Sequence, residues 1–269
     1  MALRQFVRGQ IEWDRLEAVA AEIATRYDEQ TVRVEYIDAD NWLSTPCVVN
    51  EEWFVKIISP QNSFVHALFT TARNLGVFSS GSEGFFEQYG EPLEMAEHEF
   101  EATEKMRSCG VNAPEPIEAF GHDGLGVLVL EYLRSFRTLD ELGPAEATAH
   151  TSSLFDSLAT CHDNGLAHGD LRGENVLISD GELFFIDATT VRDASESIEN
   201  ARGYDLACAL AVLEPLVGAS AAVDSATENY STDAILDARE FLDFVNMRPD
   251  HDFEAPLVKG EIEKAADGV

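Results

Sequence analysis

The sequence predicts an α+β protein of two lobes, strand-rich in front and helix-rich behind, with a cleft between them. Three observations predict it. β-prone runs crowd the stretch before residue 134, and long apolar helices follow it. A buried strand, "GLGVLVLEYL" (124–133), runs into a hinge-like link near 131–140. A tight hairpin, "HGDLRGENVLISDGELFFID" (168–187), carries charged and amide side chains at its open end.

The elements follow in order. Leu16, Val19, Ile23 and Tyr27 share one side of residues 11–27, so this is an amphipathic helix within an N-terminal helical extension, 1–30. The front lobe, 31–133, opens with "TVRVEYI" (31–37) and the polar loop "DADNWLST". Two more β-prone runs, "PCVVN" (46–50) and "EWFVKII" (52–58), are joined by a tight acidic turn. An insertion of about 59–91 holds a helix at 61–77 and the stretch "SSGSEG". A helix from about Pro92 to Cys109 stops at Gly110, where a glycine cap belongs. The prolines of "GVNAPEPIEAF" exclude helix and impose an extended run.

In the back lobe, 134–248, Pro144 opens a helix that ends at Asn164-Gly165. Asp180-Gly181 between apolar runs is a hairpin turn, because both positions tolerate positive φ. With that turn Ser179 faces Glu182, Val176 faces Phe185, and Asn175 faces Ile186 with Asp187 next along. Apolar helices cover 203–217 and 233–247, and 249–269 reads as a polar acidic tail.

Composition bounds the function. Hydrophobic content of 45% is that of a globular chain. No apolar run reaches the roughly 20 residues of a membrane helix, so no membrane partner is expected. Four scattered cysteines make neither a disulfide framework nor a zinc site and fit a reducing cytoplasm. The net charge of −32 is the unusual number. Carboxylates spread along the whole chain fit a cytoplasm at molar salt, where self-repulsion is screened. A direct nucleic-acid partner is not expected, because phosphate binding needs a basic face. An anionic nucleotide needs the rare bases, with a metal, to gather where phosphates go.

The hairpin supplies that chemistry. Its register brings the Asn175 amide oxygen and the Asp187 carboxylate together, a hard-oxygen site that suits magnesium beside phosphate oxygens. Asp170, in the loop ahead, is placed to accept a proton from an incoming hydroxyl. Arg172 offers a guanidinium to a transferring phosphoryl group. Lys56, one of only four lysines, lies within a strand and needs an acidic partner. Glu99 is that partner if Met95, Ala102 and Met106 pack inward. The blander reading of Asp170, Asn175 and Asp187 is ordinary turn chemistry, and of Lys56 an edge-strand charge.

"HGDLRGEN…FFID" resembles the "HxDLxxxxN…D-F-G" core of the protein kinase-like fold. The glycine after His is similar to its atypical branch: Rio kinases, the small archaeal kinase of the tRNA-modification complex, and the aminoglycoside and lipopolysaccharide kinases. "WFVKII" resembles the V-A-I-K strand, "HEFEATEKMRSCGVNAPEPI" the third-helix region, and "VLVLEYL" the gatekeeper and hinge.

The resemblance implies an ATP cleft between the lobes and a role for each matching residue. Lys56 would hold the α- and β-phosphates and pair with Glu99. Glu131 and Leu133 would offer backbone groups to adenine. Asp170 would be the catalytic base, and Asn175 and Asp187 would hold Mg2+ (or Mn2+). Asp205 resembles the aspartate that braces the catalytic loop, and Arg172 stands where a lysine often does. The departures are as specific. No glycine-rich loop occurs, so Ser44 and Thr45 amides would cover the phosphates. Ala-Thr follows Asp187, Gly169 replaces the usual Arg, and no A-P-E segment precedes Asp205. The expected function is that of a Rio-like serine/threonine protein kinase acting on a protein hydroxyl. A small-molecule kinase for a hydroxylated substrate and an ATPase-type assembly factor are the alternatives.

Overall fold

The structure, a computed structural model, describes residues 11–37, 44–63, 70, 89–187, 195–248 and 250–268. The loop at 38–43 and most of the 61–77 helix and of the 59–91 insertion lie outside the described residues. Two compact units form, one from 1–72, 88–104 and 114–133, the other from 73–87, 105–113 and 134–269.

The first unit is built on a five-stranded antiparallel sheet. Its elements are α1 (Trp13–Arg26), β1 (Val34–Tyr36), β2 (Thr45–Val49), β3 (Trp53–Ile58), α2 (Pro92–Ser108, through Glu104 in this unit), β4 (Pro116–His122) and β5 (Leu125–Glu131). The strand order is β1-β2-β3-β5-β4. Alternation along the strands assigns each side chain to a face. Trp53, Val55 and Ile57 of β3, with Val127 and Val129 of β5, meet Leu16, Val19 and Ile23 of α1. Burying each of these stabilises by about 1.5–3 kcal/mol. The opposite face gives Phe54, Ile58, Leu128 and Leu130 to Met95, Ala96 and Phe100 of α2. Lys56, between Phe54 and Ile58, belongs to this second face. The close seat of α2 depends on Gly126, where a Cβ would lie 2.0 Å from the Pro92 carbonyl oxygen. Gly126→Ala would therefore push α2 off the sheet.

The second unit is mostly helical. After β6 (Arg137–Thr138) come α3 (Pro144–Asp163), β7 (Val176–Ser179), β8 (Glu182–Phe185), α4 (Ser195–Val217), α5 (Ala219–Ala226), α6 (Thr232–Asn246) and α7 (Ala255–Asp267). The hairpin has the register read from the sequence, Ser179 opposite Glu182 and Val176 opposite Phe185. Asp180 and Gly181 both take positive φ, as that turn requires.

Two elements correct the sequence reading. The short helix α5 follows Gly218, whose φ of +86° breaks the chain direction after α4, and it buries Ala222, Val223 and Ala226. The segment 249–269 is not a simple polar tail: α7 buries Ala255, Val258 and Ile262, spaced for one helical face. Its many acids occupy the other faces and mask that stripe. Helix α4 also begins at Ser195, ahead of the expected 203.

Candidate active site

In the first unit, strand parity and helix spacing bring two predicted residues together. Lys56 is 5% exposed, and its Nζ lies 2.5 Å from the Glu99 carboxylate. Glu99 stands three residues after Ala96 and four after Met95, on the helix face that packs against the sheet. The buried ammonium and the half-buried carboxylate each carry a desolvation penalty that their pairing helps to offset. Ser44 and Thr45 sit at the start of β2, where Thr45 pairs with Ile57 and Pro46 with Lys56. Alternation puts Ser44 on the Lys56 face, and its buried hydroxyl makes no hydrogen bond among the described residues. At the end of β5, Glu131 donates its N–H to the Glu115 carbonyl at 2.8 Å. Leu133 makes no backbone hydrogen bond among the described residues.

In the second unit, the loop 168–175 is held by backbone and by charge. Asp205 on α4 is wholly buried, and its carboxylate accepts the N–H groups of His168 and of Gly169, the latter at 2.8 Å. Gly169 has a φ of +77°, a backbone conformation that favours glycine. His162 Nε2 lies 3.3 Å from the same carboxylate, and Tyr230 meets its Nδ1 at 2.9 Å. His168 packs edge-on against Phe185, and burial pushes its pKa down, so it serves the loop as a neutral packing residue.

The three predicted chemical residues of this unit lie along one connected stretch. Asn175 closes the one-turn helix Gly173–Asn175, and its side-chain amide donates to the Asp170 carbonyl at 2.8 Å. That bond fixes the amide nitrogen and so orients the amide oxygen away from it. Ile186 donates its N–H to the Asn175 carbonyl at 3.0 Å, which carries the hairpin pairing one residue further and leaves Asp187 next. Asp187 itself has a φ of +60°, a conformation that Asp tolerates better than most residues. Gly173 is required by packing, since a Cβ there would come within 2.7 Å of the Asp140 side chain.

The guanidinium of Arg172 is engaged by neighbouring acids. Its Nε is 3.3 Å from Asp170 Oδ2 and 3.7 Å from Asp250, and it also pairs with Glu174. Sequence reasoning missed Arg248 and Asp250, at the end of α6. Arg248 Nη2 donates to Asp170 Oδ1 at 2.9 Å, and the same guanidinium reaches Asp250 and the Tyr204 hydroxyl. Burial opposes the charge of Arg248, but Tyr204 and Asp170 hold its pKa above the usual arginine value. Burial also acts to raise the pKa of Asp250, and the hydrogen bond from Arg248 outweighs it and lowers it. The scarcity of bases was the available signal for Arg248.

The oxygen donors of the second unit are of a kind that fits a divalent cation. Among the described residues no group of three or more His, Cys, Asp or Glu could hold a metal by itself. Asn175 and Asp187 supply hard oxygens of the kind magnesium accepts together with phosphate. Within the first unit, Lys56 and the Ser44 hydroxyl, which has no hydrogen bond among the described residues, lie on one face of the sheet.

Residues 91–202 match the RIO domain family model. Over 102 residues the chain is 33% identical to a probable bifunctional tRNA threonylcarbamoyladenosine biosynthesis protein of Methanothermobacter thermautotrophicus. The aligned stretch is 38% of this chain and only 18% of that relative. The RIO domain is an ATP-binding module of the kinase-like type. Over residues 91–202, which carry Glu99, Asp170, Asn175 and Asp187, the chain is similar to the atypical, RIO branch of the protein kinase-like proteins.

Proposed function

We propose that this chain is an ATP-dependent phosphotransferase of the atypical, Rio-like type that transfers the γ-phosphoryl group to a serine or threonine hydroxyl of a protein. The observation that carries the reading is the pairing of buried Lys56 with half-buried Glu99. In a chain of four lysines and net charge −32, one lysine is held inside a sheet by a carboxylate 43 residues away. A structural role alone would be met as well by an apolar side chain, which needs no partner.

Lys56 binds the α- and β-phosphates, with Ser44 and Thr45 beside them and the backbone of Glu131 and Leu133 against adenine. Asn175 and Asp187 hold Mg2+ or Mn2+, which when bound neutralises charge on the β- and γ-phosphates. Asp170 orients the acceptor hydroxyl and takes its proton. Arg172, paired with Asp170, adds positive charge beside that carboxylate. The acidic composition suits a high-salt cytoplasm, where screening lets an anionic nucleotide approach.

The test is ATP turnover and phosphate transfer at molar KCl with magnesium or manganese, offered peptides or hydroxylated metabolites, comparing wild type with Asp170→Ala. Transfer to peptides that disappears in the variant supports the reading. Transfer to metabolites alone replaces it with a small-molecule kinase. The relative's printed role in tRNA threonylcarbamoyladenosine biosynthesis favours a second reading, an ATPase-type assembly factor working beside a partner protein. ATP consumption without any acceptor selects that one.

A further inference from the structure

We propose that Arg248 is a positioning residue for Asp170, fixing its carboxylate through Oδ1 for proton acceptance; this rests on the phosphotransfer reading. Arg248 stands 78 residues after Asp170 and its side chain is 12% exposed. Three separate anchors meet at its guanidinium: the Tyr204 hydroxyl from α4, Asp250 from its own segment, and Asp170 from the loop. The Tyr204 ring is edge-on to Phe241 of α6, so the anchor is itself packed. A planar guanidinium held at two other points sets the direction of its third hydrogen bond, which a lysine cannot do.

The two arginines on Asp170 differ. Arg172 approaches Oδ2 at 3.3 Å, is 25% exposed on its side chain, and shares its charge with Glu174. Arg248 makes the shorter contact, 2.9 Å to Oδ1, and is half as exposed. The cluster is not an anion site, because Asp170, Asp250 and Glu174 outnumber the two cations. Its effect is on geometry. Asp170 lies in a loop whose backbone is tied down by Asp205 and Asn175, and the Arg248 contact to Oδ1 adds a directional hold on its carboxylate.

The experiment is a double-mutant cycle at molar KCl with magnesium, reading ATP turnover, the KM for ATP and the urea midpoint in wild type, Asp170→Ala, Arg248→Met and the double variant. The expected result is a kcat lower by about 10- to 100-fold in Arg248→Met, with the KM for ATP within about twofold. In the Asp170→Ala background Arg248→Met costs nothing further, because its effect runs through that carboxylate. Arg248→Lys recovers only part of the loss. A multiplicative loss in the double variant, or wild-type turnover in Arg248→Met, overturns this proposal alone. Equal turnover by wild type and Asp170→Ala overturns the phosphotransfer reading and this proposal with it. Should Arg248→Met fail to unfold cooperatively, Asp250→Asn, which loosens the same guanidinium, carries the cycle.

Discussion

The buried carboxylate of Asp205 accepts the backbone N–H of His168, 37 residues earlier in the chain, and of Gly169 beside it. Both are charge-assisted bonds to a carboxylate that is wholly buried. An amide at 205 keeps one accepting oxygen and turns an N–H2 group towards the remaining donor. Asp205→Asn is therefore expected to lower stability by about 2–4 kcal/mol. Urea unfolding at molar KCl checks it. ATP turnover should fall as well, since the loop that carries Asp170 loses its brace.

The Lys56–Glu99 pair makes an asymmetric prediction. Removing the Glu99 carboxylate takes an opposite charge from a lysine that is 5% exposed, which costs up to about 3–5 kcal/mol. Glu99→Ala should show that loss in urea unfolding. The double replacement Lys56→Met with Glu99→Leu should recover most of the stability while ATP turnover stays abolished. Retained turnover in that double variant would remove Lys56 from the phosphate site.

Asp187 tests the metal reading without disturbing the turn. Its φ of +60° is tolerated by Asn as well as Asp, so Asp187→Asn keeps the backbone conformation and removes the charge. The expected outcome is a protein that still unfolds cooperatively in urea, with turnover lower by about 100-fold or more. Wild-type turnover would take the metal role away from this carboxylate.

The fold was legible where local signals agreed. In the hairpin, Asp180-Gly181 and the flanking apolar runs set both turn and register, and Asn175, Ile186 and Asp187 followed from counting. Glu99 was legible because one inward helix face leaves few choices among the acids of α2. What failed was hidden by composition. Ala255, Val258 and Ile262 make a narrow stripe in an acidic segment, and α5 is almost entirely small residues. Arg248 was invisible for a different reason. It joins Asp170 through tertiary packing, and no local spacing connects residues 78 apart.

His251 makes the pH dependence of stability testable. It is 8% exposed, and burial first, then the nearby Arg248 charge, pushes its pKa from 6.5 down to about 4. Below pH 6.5 the unfolded chain takes up a proton that the native imidazole refuses until about pH 4. The unfolded state therefore binds more protons in this window, and stability falls as pH falls through it. The full contribution is about 3 kcal/mol, of which roughly 2 kcal/mol is lost between pH 7 and pH 5. His251→Gln carries no such proton, so its urea midpoint should move less than wild type between those two pH values. Other groups that titrate there, the buried His168 among them, are common to both proteins and cancel in the comparison. Equal shifts in the two proteins would mean that His251 is protonated in the native state near its ordinary pKa.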